Sequence, residues 1–242
     1  MVYIKIDNLP VFKGIYLPTY ISHNQGMEGI AAFSTVYFLG YIVRKQIPAL
    51  KKAEKEAGPV TVLPKTLPGK LVTPLFTACG FIPSAAYVIG VLSNNFYLPS
   101  WLEDLSFPVS FDLAVGIGGK SALRTLAAVA HIALAHLGVG STLRALGPHF
   151  HPVGVREKSR VVSSGPYAVV RHPMYATFLA QLACQSVLFW SWMPIASLGV
   201  AFGALLYKIP LEEHLIEDNL ATGWEYTEYK KRVPYRLIPY VY

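Results

Sequence analysis

Long apolar stretches, separated by short charged or proline-rich segments, dominate the pattern of hydrophobic and polar positions along this chain. Five stretches have about the length needed to cross roughly 30 Å of hydrocarbon as helices, namely residues 28–43, 71–92, 122–146, 174–192 and 195–211. The last two are joined only at Met193 and Pro194, so they are predicted to run antiparallel as a tight hairpin. The pattern therefore predicts an all-α fold, a polytopic membrane helical bundle of about five transmembrane helices with a C-terminal helical hairpin.

Composition and charge support a membrane protein rather than a soluble domain. Hydrophobic residues make up 53% of the 242 positions and charged residues 14%, and the mean hydropathy is +0.39. The net charge of +7 does not indicate a nucleic-acid partner, because the basic residues flank the apolar stretches and form no single stripe interleaved with aromatic residues. We expect membrane lipids, and no nucleic acid, as partners.

The distribution of lysine and arginine predicts the orientation of the bundle. Fifteen of these residues lie within 44–70, 156–171 and 230–236, whereas the other exterior segments hold only Lys5, Lys13 and Lys120. By the positive-inside rule, the C-terminal end lies in the cytosol and the N-terminus lies across the membrane.

The segments before and after the first apolar stretch lead to separate predictions. Residues 1–27 carry Asp7, Pro10 and Pro18 before any long apolar run, unlike a cleaved secretory leader, so we expect the first membrane segment to stay attached. Segment 44–70 begins as a basic, helix-like patch and ends rich in proline and glycine. It is interpreted either as facing anionic headgroups or simply as a solvated run of charge.

Features inside the later stretches predict how those helices pack. Gly138 and Gly140, together with several alanines, predict a third helix that approaches its neighbours closely at the centre of the bundle. Pro210 is predicted to bend or end the last helix just before Glu212. Cys79 and Cys184 lie in apolar runs, which indicates buried, unreactive thiols and neither a disulfide framework nor a thiolate metal site.

Several other motifs do not support a metal or nucleotide site. His149 and His151 are one residue apart without accompanying cysteine or carboxylate ligands, which does not favour zinc. His131 and His136 lie on different faces of the third helix and are interpreted as packed or hydrogen-bonded. Residues 116–119 resemble a dinucleotide-binding loop only weakly, because no parallel strand precedes them.

Polar residues at both ends of the predicted hairpin form the strongest candidate site. Tyr167, His172 and Tyr175 precede or begin the first helix, while Glu212 and Glu213 follow the second, so the hairpin brings them to one side of the membrane. A carboxylate near aromatic rings attracts a cationic centre such as a sulfonium or an ammonium. Two simpler interpretations stay open: a histidine followed by proline is an ordinary helix start, and interfacial carboxylates also mark the return of a helix to water.

From about residue 155 to residue 239, the chain resembles the isoprenylcysteine carboxyl methyltransferase family, integral membrane enzymes that use S-adenosylmethionine. The shared features are residues 162–167 (VSSGPY), residues 171–175 (RHPMY), the pair Glu212 and Glu213, and residues 223–234 (GWEYTEYKKRVP). The resemblance implies a cytosolic cofactor site formed by Ser159, Arg160, Val161, Val162, Tyr167, His172, Pro173, Met174, Tyr175, Glu212 and Glu213. Ser159 stands where the family commonly has histidine, and Lys208 stands where it usually has arginine.

The activity that this resemblance implies is S-adenosylmethionine-dependent carboxyl O-methylation of an isoprenylated cysteine or a related prenylated acid. Lys208 is then expected to clamp the lipidic prenylated substrate and to act with Glu212 in catalysis, with no metal ion. The domain organisation that follows is an N-terminal membrane region over 1–112 and a methyltransferase-like core with a cytosolic tail over 113–242. In a eukaryotic source we expect the endoplasmic reticulum.

Three alternatives stay open from the sequence. The same scaffold would also suit modification of a small isoprenoid, by methylation or by another reaction such as cyclisation, and the lysine at position 208 motivates that possibility. A sterol-reductase-like protein would require a nicotinamide cofactor instead. A noncatalytic membrane scaffold would bind neither cofactor, and the oligomeric state is undetermined.

Overall fold

The computed structural model describes residues 3–5, 20–151 and 153–242, and over these ranges the chain is an all-α bundle. Four helical segments in these ranges are long and apolar enough to cross a membrane: His23–Ala57, Leu67–Ser93, Val109–His149 and Met193–Glu217. The predicted polytopic membrane fold is therefore confirmed. The expectation of an uncleaved N-terminal segment falls on residues 1–27, of which only 3–5 and 20–27 are described.

The described helices and strands follow one another in a simple order. The helices are α1 (His23–Ala57), α2 (Leu67–Ser93), α3 (Ser100–Glu103), α4 (Val109–Ala133), α5 (Ser141–Leu146), α6 (Pro173–Phe189), α7 (Met193–Glu217) and α8 (Gly223–Arg232). The strands form two short antiparallel pairs, β1 (Tyr3–Lys5) with β2 (Tyr20–Ser22), and β3 (Val60–Val62) with β4 (Val155–Arg156). A π-helical segment, Leu134–Gly140, joins α4 to α5.

Helix α1 extends beyond the predicted stretch at both ends. Its N-terminus is fixed by a capping box, in which the Ser22 hydroxyl accepts from the Gln25 backbone N–H and the Gln25 side chain accepts from the Ser22 N–H. The helix continues through Pro48 to Ala57, so it includes the basic patch that the sequence predicted to be helix-like. That patch is thus one end of a membrane helix and not a separate loop.

The third helical segment packs closely against its neighbours, as its small residues predict. A Cβ atom built on Gly138 would lie 2.2 Å from Cγ2 of Thr177 in α6, and one built on Gly140 would lie 2.5 Å from the Tyr41 hydroxyl in α1. A larger residue at either position would therefore require the neighbouring Thr177 or Tyr41 side chain, or the helices themselves, to shift. The segment begins at Val109, earlier than predicted, and its backbone breaks at Gly116, where φ is +71°.

Helices α6 and α7 form the predicted hairpin. Helix α6 ends at Phe189 and is followed by Trp190, which adopts a left-handed conformation, and α7 begins at Met193. Helix α6 has only 17 residues and is shorter than the four spanning segments. Pro210 was predicted to bend or end α7, and it does not end the helix, which continues to Glu217 and keeps Glu212 within it. A bend at Pro210 stays a prediction.

The loops on the site's side of the bundle are tied together by a buried arginine. The Arg156 guanidinium donates to the backbone carbonyls of Phe150 (3.0 Å) and Gly58 (2.7 Å), beside the pairing of β3 with β4. This links the segment after α1 to the segment after α5. Arg156 was predicted only as an exterior charge, but in the structure it is a buried structural contact.

A buried ion pair lies within the bundle, and no local sequence motif predicts it. Arg124 forms a two-pronged pair with Glu28, with both Nη–Oε distances at 2.8 Å. The Tyr87 hydroxyl donates to the same carboxylate, and the Arg124 Nε donates to the Leu188 carbonyl at 2.8 Å. The pair connects α1, α2, α4 and α6, and its geometry satisfies both charges as burial requires.

Candidate functional site

The start of α6 is held in place by the C-terminal segment of the chain. The backbone N–H groups of Arg171 and His172 donate to the carbonyls of Tyr235 and Arg236, both at 2.9 Å. Pro173 then begins the helix, as predicted, where its missing N–H leaves nothing unpaired. His172 is thereby fixed at the junction between the C-terminal tail and the hairpin.

Glu213 is the centre of a buried network beneath this junction. Its carboxylate lies 2.8 Å from the Arg171 Nε, 3.2 Å from the His172 Nε2 and 3.0 Å from the Arg236 Nη2. The Tyr226 hydroxyl approaches it at 3.4 Å. Glu213 therefore fastens α6, α7, α8 and the tail to one another. It does not line the cavity described below, and neither does Pro173.

Glu212, one residue earlier, faces a different set of partners. Its carboxylate accepts from the Tyr175 hydroxyl at 2.5 Å and from the Lys208 ammonium at 2.7 Å. The Lys208 ammonium also donates to the Thr73 hydroxyl of α2 at 2.9 Å and lies 5.3 Å from the centre of the Tyr175 ring. The His172 and Tyr175 rings stack with their centres 5.5 Å apart. The Glu212 charge is thus set among aromatic rings and partly balanced by Lys208.

Three tyrosines form the adjoining wall. The Tyr229 hydroxyl of α8 donates to the Tyr167 carbonyl at 2.7 Å, and both side chains are buried together with Tyr226. Burial raises the pKa of Tyr167, Tyr226 and Tyr229 above its usual range, because the phenolate would lose its hydration. All three therefore stay neutral and offer ring surface and hydroxyl groups rather than charge.

A cavity of about 340 Å³ opens among these residues. Its polar side includes most of the residues that the sequence proposed for the cofactor and the substrate: Ser159, Arg160, Val161, Val162, Tyr167, His172, Met174, Tyr175, Lys208 and Glu212. Its other side is apolar and is formed by residues such as Phe38 and Ile42 of α1, Phe76 and Phe81 of α2 and Phe178 of α6. The cavity therefore joins a polar compartment to an apolar compartment between the helices.

The first two spans contribute directly to this cavity, although the sequence assigned them no role. The proposed division at residues 112 and 113 stays a prediction, but residues on both sides of it line the same space. In α2, Thr73 accepts a hydrogen bond from Lys208 of α7, and the Phe76 ring packs against that of Tyr175 near the beginning of α6. No local motif marks these two residues, because their importance comes from the packing of distant helices.

His149 and His151 also line the cavity, where the sequence had considered them only as metal ligands. The Nδ1 atom of each is buried and has no hydrogen-bond partner within the described ranges. Burial, with the neighbouring cations of Arg156 and Lys208, lowers the pKa of His151 against the opposing effect of Glu212. His151 thus presents a neutral imidazole. His131 and His136 are packed and hydrogen-bonded, as predicted.

Comparisons with known proteins agree with the resemblance drawn from the motifs. Residues 128–218 match the model of the isoprenylcysteine carboxyl methyltransferase (ICMT) family. Protein-S-isoprenylcysteine O-methyltransferase B of Arabidopsis thaliana is 31% identical over 91 residues, which are 36% of this chain and 43% of that protein. The chain thus matches less than half the length of this curated relative. The resemblance to the family is confirmed for the segment that carries most of the candidate site.

Proposed function

We propose that this chain is an S-adenosylmethionine-dependent carboxyl O-methyltransferase that acts on an isoprenylated cysteine or a related prenylated acid. One observation carries the proposal: a single cavity joins a compartment of aromatic rings and the Glu212 carboxylate to an apolar compartment between membrane helices. The first compartment suits a cationic sulfonium. The second suits a prenyl tail, of which each buried CH₂ contributes about 0.8 kcal/mol.

The residues present fit this cofactor. Tyr167, Tyr175 and His172 offer ring faces, and Glu212 offers negative charge beside them. Residues 159–162 line the same cavity and include the hydroxyl group of Ser159 and the guanidinium of Arg160 as hydrogen-bonding groups. When bound, S-adenosylmethionine supplies an electrophilic methyl group.

For methylation of a carboxylate, the main task of the protein is to position the two reactants. The acceptor is already ionised near neutral pH, so no proton has to be removed. Lys208, held between Glu212 and Thr73, presents a cation at the border of the two compartments and would hold the acceptor's carboxylate there. Holding two reactants in line supplies several kcal/mol of barrier reduction.

The matched family favours this activity over modification of a small isoprenoid or a reductase reaction. The proposed setting is the endoplasmic reticulum in a eukaryotic source, with the C-terminal tail in the cytosol. The charge distribution along the chain supports that orientation.

The test uses the purified full chain in detergent with a radiolabelled methyl donor and an S-farnesylcysteine acceptor. We expect label in a base-labile methyl ester, and none when the acceptor's carboxyl group is replaced by an amide. In parallel, S-adenosylmethionine should raise the melting temperature and NADPH should not, because a ligand stabilises the state that binds it. Stabilisation by NADPH alone, without ester formation, would contradict the proposal.

A further inference from the structure

The outward face of α1 changes from apolar to cationic along the length of the helix. Positions 30, 33, 37, 44, 48, 51 and 55 are separated by three, four or seven residues, so they lie on one face of the helix, and all seven are exposed. The first three are Ile30, Phe33 and Tyr37, whereas the later ones include Arg44, Lys51 and Lys55. Lys45 and Lys52 lie beside this row and are exposed as well. The surface of α1 thus carries a group of cations next to an apolar stretch.

The opposite face of the same part of α1 contacts the rest of the protein. Ala53 and Ala57 are buried, and Gln46 and Leu50 line the main cavity. Because α1 has 35 residues, it is about 52 Å long, whereas the hydrocarbon core of a bilayer is about 30 Å thick. The cationic part of the helix therefore reaches the layer of lipid headgroups, and its charges point away from the cavity.

Arg144 of α5 joins these cations at the point where the apolar stretch of α1 ends. The Lys45 Nζ lies 5.7 Å from the centre of the Tyr41 ring. A Cβ atom built on Gly140 would lie 2.5 Å from the Tyr41 hydroxyl and 3.4 Å from the Arg144 Nη1, so the guanidinium lies beside that hydroxyl. Both Lys45 and Arg144 are exposed, and the structure describes no carboxylate partner for either of them in the ranges it covers. The two cations thus lie around one tyrosine, without a described negative charge to balance them.

The surface on the membrane side of this pair favours a lipid over a soluble anion. It is apolar and exposed, and it includes Phe33 (68% exposed) and Val36 (50%) of α1 and Leu137 (75%) of the π-helical segment. Acyl chains would cover this surface while the headgroup of the same molecule meets the two cations. A soluble phosphate would contact the cations alone.

We propose that Lys45 and Arg144 bind the phosphate group of an anionic phospholipid in the leaflet on the basic side of the bundle. The headgroup lies beside Tyr41, and the acyl chains lie along the apolar surface of α1 and the π-helical segment. Lysine and arginine near the membrane surface attract anionic lipids. A zwitterionic lipid is attracted less, because its own ammonium group balances the charge of its phosphate.

The test titrates short-chain phosphatidylserine into the purified full chain in a nonionic detergent and follows the melting temperature. We expect a rise that saturates, because a ligand stabilises the folded state that binds it. Phosphatidylcholine with the same chains, and free phosphoserine without chains, should not produce it. In the double variant Lys45→Gln with Arg144→Gln, the apparent affinity for phosphatidylserine should fall roughly 30-fold, and in Lys45→Gln alone about 5-fold. The control is Lys231→Gln with Arg232→Gln, which removes the same charge from exposed positions of α8 and should leave the affinity unchanged.

Each outcome of this titration decides the proposal. Equal stabilisation by phosphatidylcholine, or none by phosphatidylserine, would overturn recognition of an anionic lipid. Stabilisation by free phosphoserine as strong as that by the lipid would show a site for a soluble anion instead. Equal weakening by the α8 control would show diffuse attraction and no site at Lys45 and Arg144. If the double variant does not fold, as its melting temperature without lipid reveals, Lys45→Gln alone decides, and an unchanged affinity in that variant would contradict the site.

Discussion

Lys208 places its ammonium between Glu212 of its own helix and Thr73 of α2, at a position where the family usually carries arginine. The Lys208 side chain is 1% exposed to solvent and lines the cavity. A lysine offers a point charge, whereas an arginine offers a planar, two-pronged donor. Under the proposed function, we therefore expect the residue at position 208 to set how an acceptor's carboxylate is held.

We expect Lys208→Ala to lower kcat/KM for a prenylated acceptor by roughly 100-fold, because the acceptor's carboxylate loses its positioning cation. Lys208→Arg should retain most of the activity. Steady-state kinetics with the methyl donor at saturation measures both variants, and the melting temperature confirms folding. Unchanged kinetics in a folded Lys208→Ala variant would remove the clamp from the mechanism.

Glu212 is expected to recognise the charge of the cofactor. Glu212→Gln keeps the shape of the side chain but removes its negative charge, so binding of S-adenosylmethionine should weaken by about 10-fold. S-adenosylhomocysteine, a neutral thioether, should bind this variant almost as well as it binds the unmodified chain. Calorimetric titration of both ligands measures the ratio.

Tyr175→Phe is the matched control for that change. It keeps the aromatic ring and removes only the hydroxyl group that donates to Glu212. The preference for the cationic ligand should survive in this variant. Equal weakening of both ligands by Glu212→Gln would show that Glu212 supports the site's structure rather than recognising charge.

At this scale, the sequence predicted the convergence of Tyr167, His172, Tyr175 and Glu212, because each lies beside a helix end that the hairpin brings back. It placed both Glu212 and Glu213 at the cofactor, and only the resemblance to the family singled out Glu212 for catalysis. Adjacent residues on a helix point in directions about 100° apart, so one carboxylate faces the cavity and the other faces Arg171. The orientation of α7 against α6 decides which of the two carboxylates faces the cavity and which faces Arg171.

At the level of helices and loops, Glu213 holds together the start of α6, the end of α7 and the C-terminal tail. Removing its charge leaves the buried guanidinium of Arg171 without its carboxylate partner, and the other hydrogen bonds of this guanidinium within the described ranges go to the carbonyls of Val233 and Pro234. We expect Glu213→Gln to lower the free energy of unfolding by about 3–5 kcal/mol. Thermal unfolding of the purified chain in detergent measures the change.

Glu217→Gln is the control for Glu213→Gln, because it removes a carboxylate charge from the same helix. Glu217 of α7 pairs with Lys230 of α8 at 2.7 Å, but both side chains are about one-third exposed. Its loss should change stability by less than about 1 kcal/mol. Similar effects of the two substitutions would contradict the central role given to Glu213.

The elements themselves were predictable where hydropathy or a local turn specifies them. The hairpin follows from Met193 and Pro194, and the close packing of the third helix follows from Gly138. The end of α7 was not predictable from Pro210, because packing against neighbouring helices keeps the helix intact despite a lost hydrogen bond. The Glu28 and Arg124 pair was also missed, since 96 residues separate the partners and neither has a local motif.

At the scale of the whole molecule, contacts between loops show which segments share a side of the membrane. The pairing of β3 with β4 places the segment after α1 beside the segment before α6, and the Arg236 carbonyl binds the start of α6. On the other side, the Trp192 N–H at the hairpin tip donates to the Leu105 carbonyl at 2.9 Å. These are the two groups of segments that the charge pattern separates, with fifteen basic residues against three.

Contacts alone do not say which side faces the cytosol, so the orientation is predicted from charge. The basic side should remain in the cytosol, because lysine and arginine near membrane helices resist translocation. A glycosylation acceptor sequence appended after Tyr242 should therefore stay unmodified in microsomes, whereas the same sequence before Met1 should be glycosylated. A third acceptor sequence inserted at Asn95, on the side of the hairpin tip, should behave like the N-terminal one. Glycosylation only after Tyr242 would invert the bundle and place the cavity's polar compartment in the lumen, away from a cytosolic methyl donor.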